Sequence, residues 1–89
     1  MRAVITVIVK DMVGILARVS TRCAEHRINV LEVTQSILQD MFAMIMMVDI
    51  SGSDIPFTQF AEELSREGQE MGLSIHAMHE DIFNSMHKI

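Results

Sequence analysis

Lys10-Asp11-Met12-Val13-Gly14-Ile15-Leu16 joins two stretches whose apolar residues repeat with different periods. Before it, Arg2 to Val9 is short, rich in β-branched residues and bounded by a charged turn, which reads as a β-strand. Ala3, Ile5, Val7 and Val9 would face one side and Val4, Thr6 and Ile8 the other. Both sides are largely apolar, so the strand belongs in the middle of a sheet. After it, Ile15, Leu16, Val19, Cys23 and Ala24 recur every three or four residues, with Arg18, Arg22 and Glu25 outside. That is an amphipathic helix ending near His26 or Arg27. The heptapeptide is therefore the turn where a strand hands over to a helix. The first N–H groups of a helix lack intrahelical partners and sit at the positive end of its dipole, a combination that favours an anion such as a carboxylate. Gly14 permits close approach and Asp11 supplies a counter-charge. A plainer reading gives Gly14 a tight turn and Asp11 a helix cap.

Working outward, Ile28-Asn29-Val30-Leu31 resumes an extended pattern, and Asn29 is expected to make the turn from helix into strand because Asn tolerates such backbone conformations. Val30 to Leu38 and Met41 to Ile50 are strand-like runs separated only by Gln39-Asp40, a gap that fits a hairpin. Ser51 to Asp54 reads as a loop and Pro56 as the signal that opens a second helix. On that helix Phe57, Phe60, Ala61, Leu64, Gly68 and Met71 share one face, with Glu62, Glu63, Arg66, Glu67 and Glu70 opposite, and Gly72 stops it. Leu73, Ile75 and Ala77 alternate with Ser74, His76 and Met78 in a fourth strand. Residues 79–89 carry Ile82, Phe83, Met86 and Ile89, a short terminal helix with one apolar face. The order β-α-β-β-α-β plus a helix predicts an α+β, ferredoxin-like sandwich: a four-stranded antiparallel sheet, two helices on one face, and a short C-terminal helix. Residues 1–89 are expected to form one domain, with 79–89 as its helical extension.

Met41 to Val48 is apolar at both phases of its alternation, which a strand with one wet face would not choose. The face away from the two helices must therefore be covered. The terminal helix can cover part of it, and a second copy of the chain is the simplest further cover, so a homodimer is expected.

The composition narrows the function classes. The chain has 89 residues, a formal charge of −5, and only seven Lys and Arg, which are scattered, so no basic footprint for nucleic acid is present. Its apolar runs fall far short of the ~20 residues of a membrane helix, and no signal peptide is read at the N-terminus, so the expected location is cytoplasmic. Cys23 lies on the apolar stripe of the first helix and reads as a buried, inert thiol. His76 and His79, three apart on a strand, would point to opposite faces and so would not share a metal. His79 is instead placed to cap the terminal helix, and His87 to sit near its C-terminal end, where a cation is favoured. No metal site and no cofactor is expected.

Four blocks then carry a family resemblance: Ala3-Val4-Ile5-Thr6-Val7 leading to Lys10-Asp11 and Val13-Gly14-Ile15; Ala24-Glu25-His26 leading to Ile28-Asn29-Val30-Leu31; Gln35-Ser36 leading to Phe42 and Met44-Ile45-Met46; and His79-Glu80-Asp81-Ile82-Phe83 leading to Met86-His87. With these the chain resembles the ACT domain, and more closely its small stand-alone members in bacteria and archaea. The resemblance implies a non-catalytic regulatory module that binds a small ligand, usually an amino acid, at an interface between two units and signals to a partner protein. It maps the ligand-contacting loop onto Asp11, Met12, Val13, Gly14, Ile15 and Leu16, and a residue contributed by the neighbouring unit onto Asn29. On this view N–H groups around Val13 to Leu16 would take a carboxylate, and Asp11 or the Asn29 side-chain carbonyl an ammonium group. The chain departs from its stand-alone relatives at Val9, where they tend to have glycine, and at Met12, where relatives are often polar or charged; the ligand's identity does not carry over.

An enzyme is not expected. Acylphosphatases of this fold place an Arg in the first turn, where this chain offers only Lys10, and no nucleophile–base pair can be assembled. Nor does the chain carry the exposed aromatics of an RNA-binding sheet, with only Phe42 qualifying. The alternative to ligand binding is a protein-interaction or dimerisation module whose sheet face and terminal helix dock another protein while the loop stays empty.

Overall fold

Six consecutive residues from Val4 to Val9, all but one of them Val or Ile, favour the extended conformation of β1 (Arg2–Val9), which takes a central place in the sheet. The computed structural model describes residues 1–10 and 14–86. The chain continues through α1 (Ile15–Glu25), β2 (Asn29–Leu38), β3 (Met41–Asp49), α2 (Phe57–Met71), β4 (Ser74–His79) and α3 (Glu80–Met86). The four strands form one antiparallel sheet in the order β2-β3-β1-β4, the expected ferredoxin-like arrangement.

Register decides which side chains share a face. Ala3, Ile5, Val7 and Val9 lie opposite Val48, Met46, Met44 and Phe42. Those of them that are fully buried join Ile15, Val19 and Cys23 of α1 and Phe60 and Leu64 of α2 in one apolar core. The core thus fills the space between the sheet and the two long helices. The other face carries Val4, Thr6 and Ile8 opposite Met47, Ile45 and Ala43. There α3 packs against β1 and β4 and Val4 is wholly buried, while Ile8 and Ile45 stay exposed.

Helix ends follow sequence with one correction. At the end of α2, Gly72 takes φ 73°, Gly72 N–H donates to Gln69 O at 3.2 Å, and Leu73 N–H donates to Gly68 O at 2.9 Å. This pair of bonds satisfies the last orphan carbonyls, and the left-handed residue between them favours glycine. α1 ends in the same motif, with Arg27 N–H on Ala24 O at 3.2 Å and Ile28 N–H on Cys23 O at 2.8 Å, but its left-handed residue is Arg27, at φ 60°. The turn expected at Asn29 is therefore made two residues earlier, and Asn29 is already extended, paired with Asp49. The hairpin turn falls at Gln39-Asp40 as expected, with Gln39 at φ 57°. A register shift between Val30 and Glu32 leaves Leu31 as the extra residue of a bulge.

Candidate functional site

Gly14 has φ 79°, a left-handed conformation, and caps α1 without a side-chain hydrogen bond. Among the described residues nothing lies within 4 Å of where its Cβ would be, so it is the left-handed backbone that favours glycine here. Gly14 O already accepts from Arg18 N–H at 2.9 Å. Ile15 is buried in the core, so it can offer a ligand only its N–H. Leu16 is 39% exposed. Asp11, Met12 and Val13 lie outside the described residues.

Two recesses flank this end of the molecule. A groove of about 460 Å³ runs between α1 and α2 from Gly14 past Ala17 and Thr21 to Glu67. A wider cleft of about 800 Å³ is walled by Val9, Lys10, Ile15, Met41, Met71 and Leu73. Val9 thus forms part of the wall of the second recess.

Asn29 is exposed, but within one chain it is nowhere near Gly14. Asn29, Asp49 and Arg2 stand in one row across the sheet, whereas α1 begins beyond Val9 at the other end. Seven residues of extended chain separate those rows, about 23 Å. The two halves of the predicted site therefore meet only if a second chain supplies one of them.

Sequence reasoning missed the charges that hold α1 to α2. Glu67 was expected on the solvent side of α2, yet it is 7% exposed and accepts from Arg22 Nε at 2.7 Å and Arg18 Nη1 at 3.2 Å. Burial works to raise its pKa, but the two guanidinium groups outweigh that and hold it below the usual carboxylate range. One turn further along, His26 Nδ1 lies 2.9 Å from Asp54 Oδ1 and its Nε2 lies 3.0 Å from Glu63 Oε1. Only the imidazolium can donate from both nitrogens at once. The hydrogen bond to Asp54, helped by Glu63, raises its pKa against the opposing effect of burial. The signal was present as two matched pairs at helical spacing, Arg22/His26 on α1 and Glu63/Glu67 on α2.

The remaining candidates resolve simply. Cys23 is buried, and desolvation pushes its thiol up to about 11, so it is no nucleophile at neutral pH. His79 Nδ1 accepts from Asp81 N–H at 3.0 Å and so caps α3 as expected, while His76 lies opposite Thr6 on the other face of β4. His87 lies outside the described residues. Among the described residues no group of three His, Cys, Asp or Glu could hold a metal ion, and no helix is long and apolar enough to cross a membrane.

A family model described as the ACT domain matches residues 2–78. The UPF0237 protein of Clostridium acetobutylicum is 47% identical over 89 residues, covering all of both chains. That of Methanopyrus kandleri is 42% identical over 88 residues, covering 99% of this chain and 98% of its own. Among solved structures, an ACT domain protein from Streptococcus pneumoniae superposes with a TM-score of 0.80 at 35% identity, covering 93% of each chain.

Proposed function

The chain belongs to the ACT domain family, whose members are typically regulatory and ligand-binding, and from that premise we propose that it is a non-catalytic module that binds an amino acid between two copies of itself and signals to a partner protein. The ligand's carboxylate sits against the N–H groups at the start of α1, around Gly14, Ile15 and Leu16, with Asp11, Met12 and Val13 completing the loop. Asn29 of the second copy meets its ammonium group.

The topology is the observation that carries this reading. β2 is antiparallel to β3 and β3 to β1, so β2 runs parallel to β1 and ends beside the start of α1. β2 is also an edge strand, with Leu31, Val33 and Ile37 exposed along it. An unpaired edge is a template for another strand. Two copies joined antiparallel along β2 by a twofold axis carry Asn29 of each to the Gly14 end of the other. That single operation removes the ~23 Å separation along the strand direction.

The test is a thermal-shift screen with each of the twenty amino acids. A ligand that binds only the native state raises the melting temperature, so at least one amino acid should do so. Asn29→Ala, a change at an exposed position, should remove the response without lowering the unliganded melting temperature. Gly14→Val should remove it too, at a baseline cost of about 1–2 kcal/mol for a side chain in the left-handed region. Silence from all twenty amino acids on a persistent dimer would replace ligand binding with a protein-interaction role. A response unchanged by both variants would move the site elsewhere.

A further inference from the structure

The two faces of β2 differ in kind. On the side of the long helices, Val33, Gln35 and Ile37 stand opposite Met46, Met44 and Phe42; on the other side, Glu32, Thr34 and Ser36 stand opposite Met47, Ile45 and Ala43. Such alternation belongs to a strand with one covered face and one wet face, yet in a single chain both faces are exposed. Val33 is 36% and Ile37 72% exposed, although their row partners Met46 and Phe42 are buried. The cause is the reach of the helical layer: α2 packs on β4 and α1 touches β2 only lightly, so the edge strand extends past both helices.

α1 adds an apolar side chain to this uncovered strip. Its Ile15, Val19 and Cys23 are buried in the core, while Arg18 and Arg22 turn to Glu67 of α2. With about 3.6 residues per turn, Leu16 and Ser20 fall on the opposite flank, above the β2 edge. Leu16 is 39% exposed in the first turn after Gly14, and Ile37 lies in the row of Phe42 and Val9, the last before that turn. Helix and strand thus form a shelf at the Gly14 end. Leu16, Ser20, Val33, Gln35 and Ile37 are all uncharged, and Lys10 and Asp40 stand beyond the last paired rows of their strands.

We propose that this shelf is the side-chain subsite of the ligand, and that the ligand is an amino acid with an apolar side chain: leucine, isoleucine, valine, methionine or phenylalanine. The inference rests on the reading above, in which the amino acid's carboxylate lies at the N–H groups around Gly14. From there a side chain can follow either flank of α1. The α2 flank is the groove of Arg18, Arg22 and Glu67, whose charges are already paired with one another. The β2 flank offers Leu16 and Ile37. Pairing two copies along β2 decides between them, because it puts the shelf at the interface and leaves the groove outside it. Both copies then carry their helices on one side of a continuous sheet, and the two shelves floor a single trough between the α1 helices. A charged side chain placed there would lose its water and gain no partner, whereas an apolar one only sheds water. Burying the three extra carbons of leucine should tighten binding about tenfold to hundredfold over alanine.

Calorimetric titration of the full chain with each of the twenty amino acids, at concentrations where sedimentation shows the dimer, tests this. One of the five apolar amino acids should bind tightest, at least about tenfold above alanine, with no response to aspartate or lysine. Leu16→Ser and Ile37→Ser, both at exposed positions, should each lower the ratio of that affinity to alanine's at least about threefold. A tightest ligand of any other kind, or a ratio unchanged in both variants, overturns the apolar subsite while ligand binding at Gly14 stands. Silence from all twenty overturns the ligand-binding reading itself, and this inference falls with it.

Discussion

β3 presents two apolar rows to two different environments. Phe42, Met44, Met46 and Val48 point at the long helices and are at most 4% exposed. Met41, Ala43, Ile45 and Met47 point the other way and none is fully buried. Both rows are wholly apolar, so polarity does not distinguish them; what differs is that 26 residues of helix cover one row and seven cover part of the other. Of the second row Ile45 is exposed and Met41, Ala43 and Met47 are half-buried, so this row is packed less completely than the first.

Neighbouring methionines make the sharpest test of that contrast. Met46→Ala empties a packed core and should cost about 3 kcal/mol in urea unfolding, whereas Met47→Ala should cost about 1 kcal/mol at concentrations where copies are separate. Equal losses at low concentration would mean that both rows are core and would abolish the distinction. A Met47→Ala penalty that grows with protein concentration would sharpen it.

The same asymmetry should hold for the ion pairs that fasten the two helical layers. Glu67→Ala strips the carboxylate shared by Arg18 and Arg22 and should cost about 1–2 kcal/mol, tempered because both guanidinium groups reach solvent. Glu80→Ala, which frees α3, should cost less than about 1 kcal/mol. If the second loss matched the first, α3 would be as firmly part of the monomer as α2.

Only the side under the long helices carries the His26 clamp, and the sign of its pH dependence follows from its raised pKa. Its contribution is fully present below the ordinary value of 6.5 and is lost as pH rises through the folded value. Glu67, held low, contributes above its ordinary 4.5 and loses that contribution as pH falls through the folded value. Stability should peak between these limits, and His26→Gln should flatten the decline on the alkaline side, read as urea midpoints from about pH 6 to 8.5. An alkaline limb unchanged in the variant would show that the clamp carries no proton-linked stability.

The smallest expected effect concerns the turn that delivers β2 to the sheet edge. Arg27→Gly should stabilise by about 0.5–1 kcal/mol, because α1 would then end as α2 does, with glycine in the left-handed position. A loss of stability would mean that the Arg27 side chain does more than its backbone suggests.

That turn also shows where sequence was legible. The element order, the hairpin at Gln39-Asp40, the stop at Gly72 and the cap at His79 were readable because each has a local cause: periodicity, gap length, a glycine, a ring nitrogen two residues ahead of a helix. Arg27 escaped because nothing in its identity marks a left-handed position. Glu67 escaped because it sits on the flank of the α2 stripe, where burial depends on what α1 brings to it. Leu31 hides a phase slip within an otherwise regular alternation. At the candidate site, Gly14 was legible from its place between strand and helix. That Asn29 stands at the far end of the same chain followed only from strand order, which no local signal encodes.

Strand order has a further consequence, for synthesis. Of the four strands of the sheet β1 is made first, yet it is hydrogen-bonded on both sides, to β3 (Met41–Asp49) and β4 (Ser74–His79). Its second partner emerges only after most of the chain. Until then a strand rich in Val and Ile waits with an open edge, and closing it requires pairings from Ile8–Ser74 to Ala3–His79, 66 to 76 residues apart. Such pairing is slow because loop closure precedes any reward. The sheet is therefore completed from its middle outward only when the last strand arrives, so a nascent chain lacking β4 has no finished core to fold into.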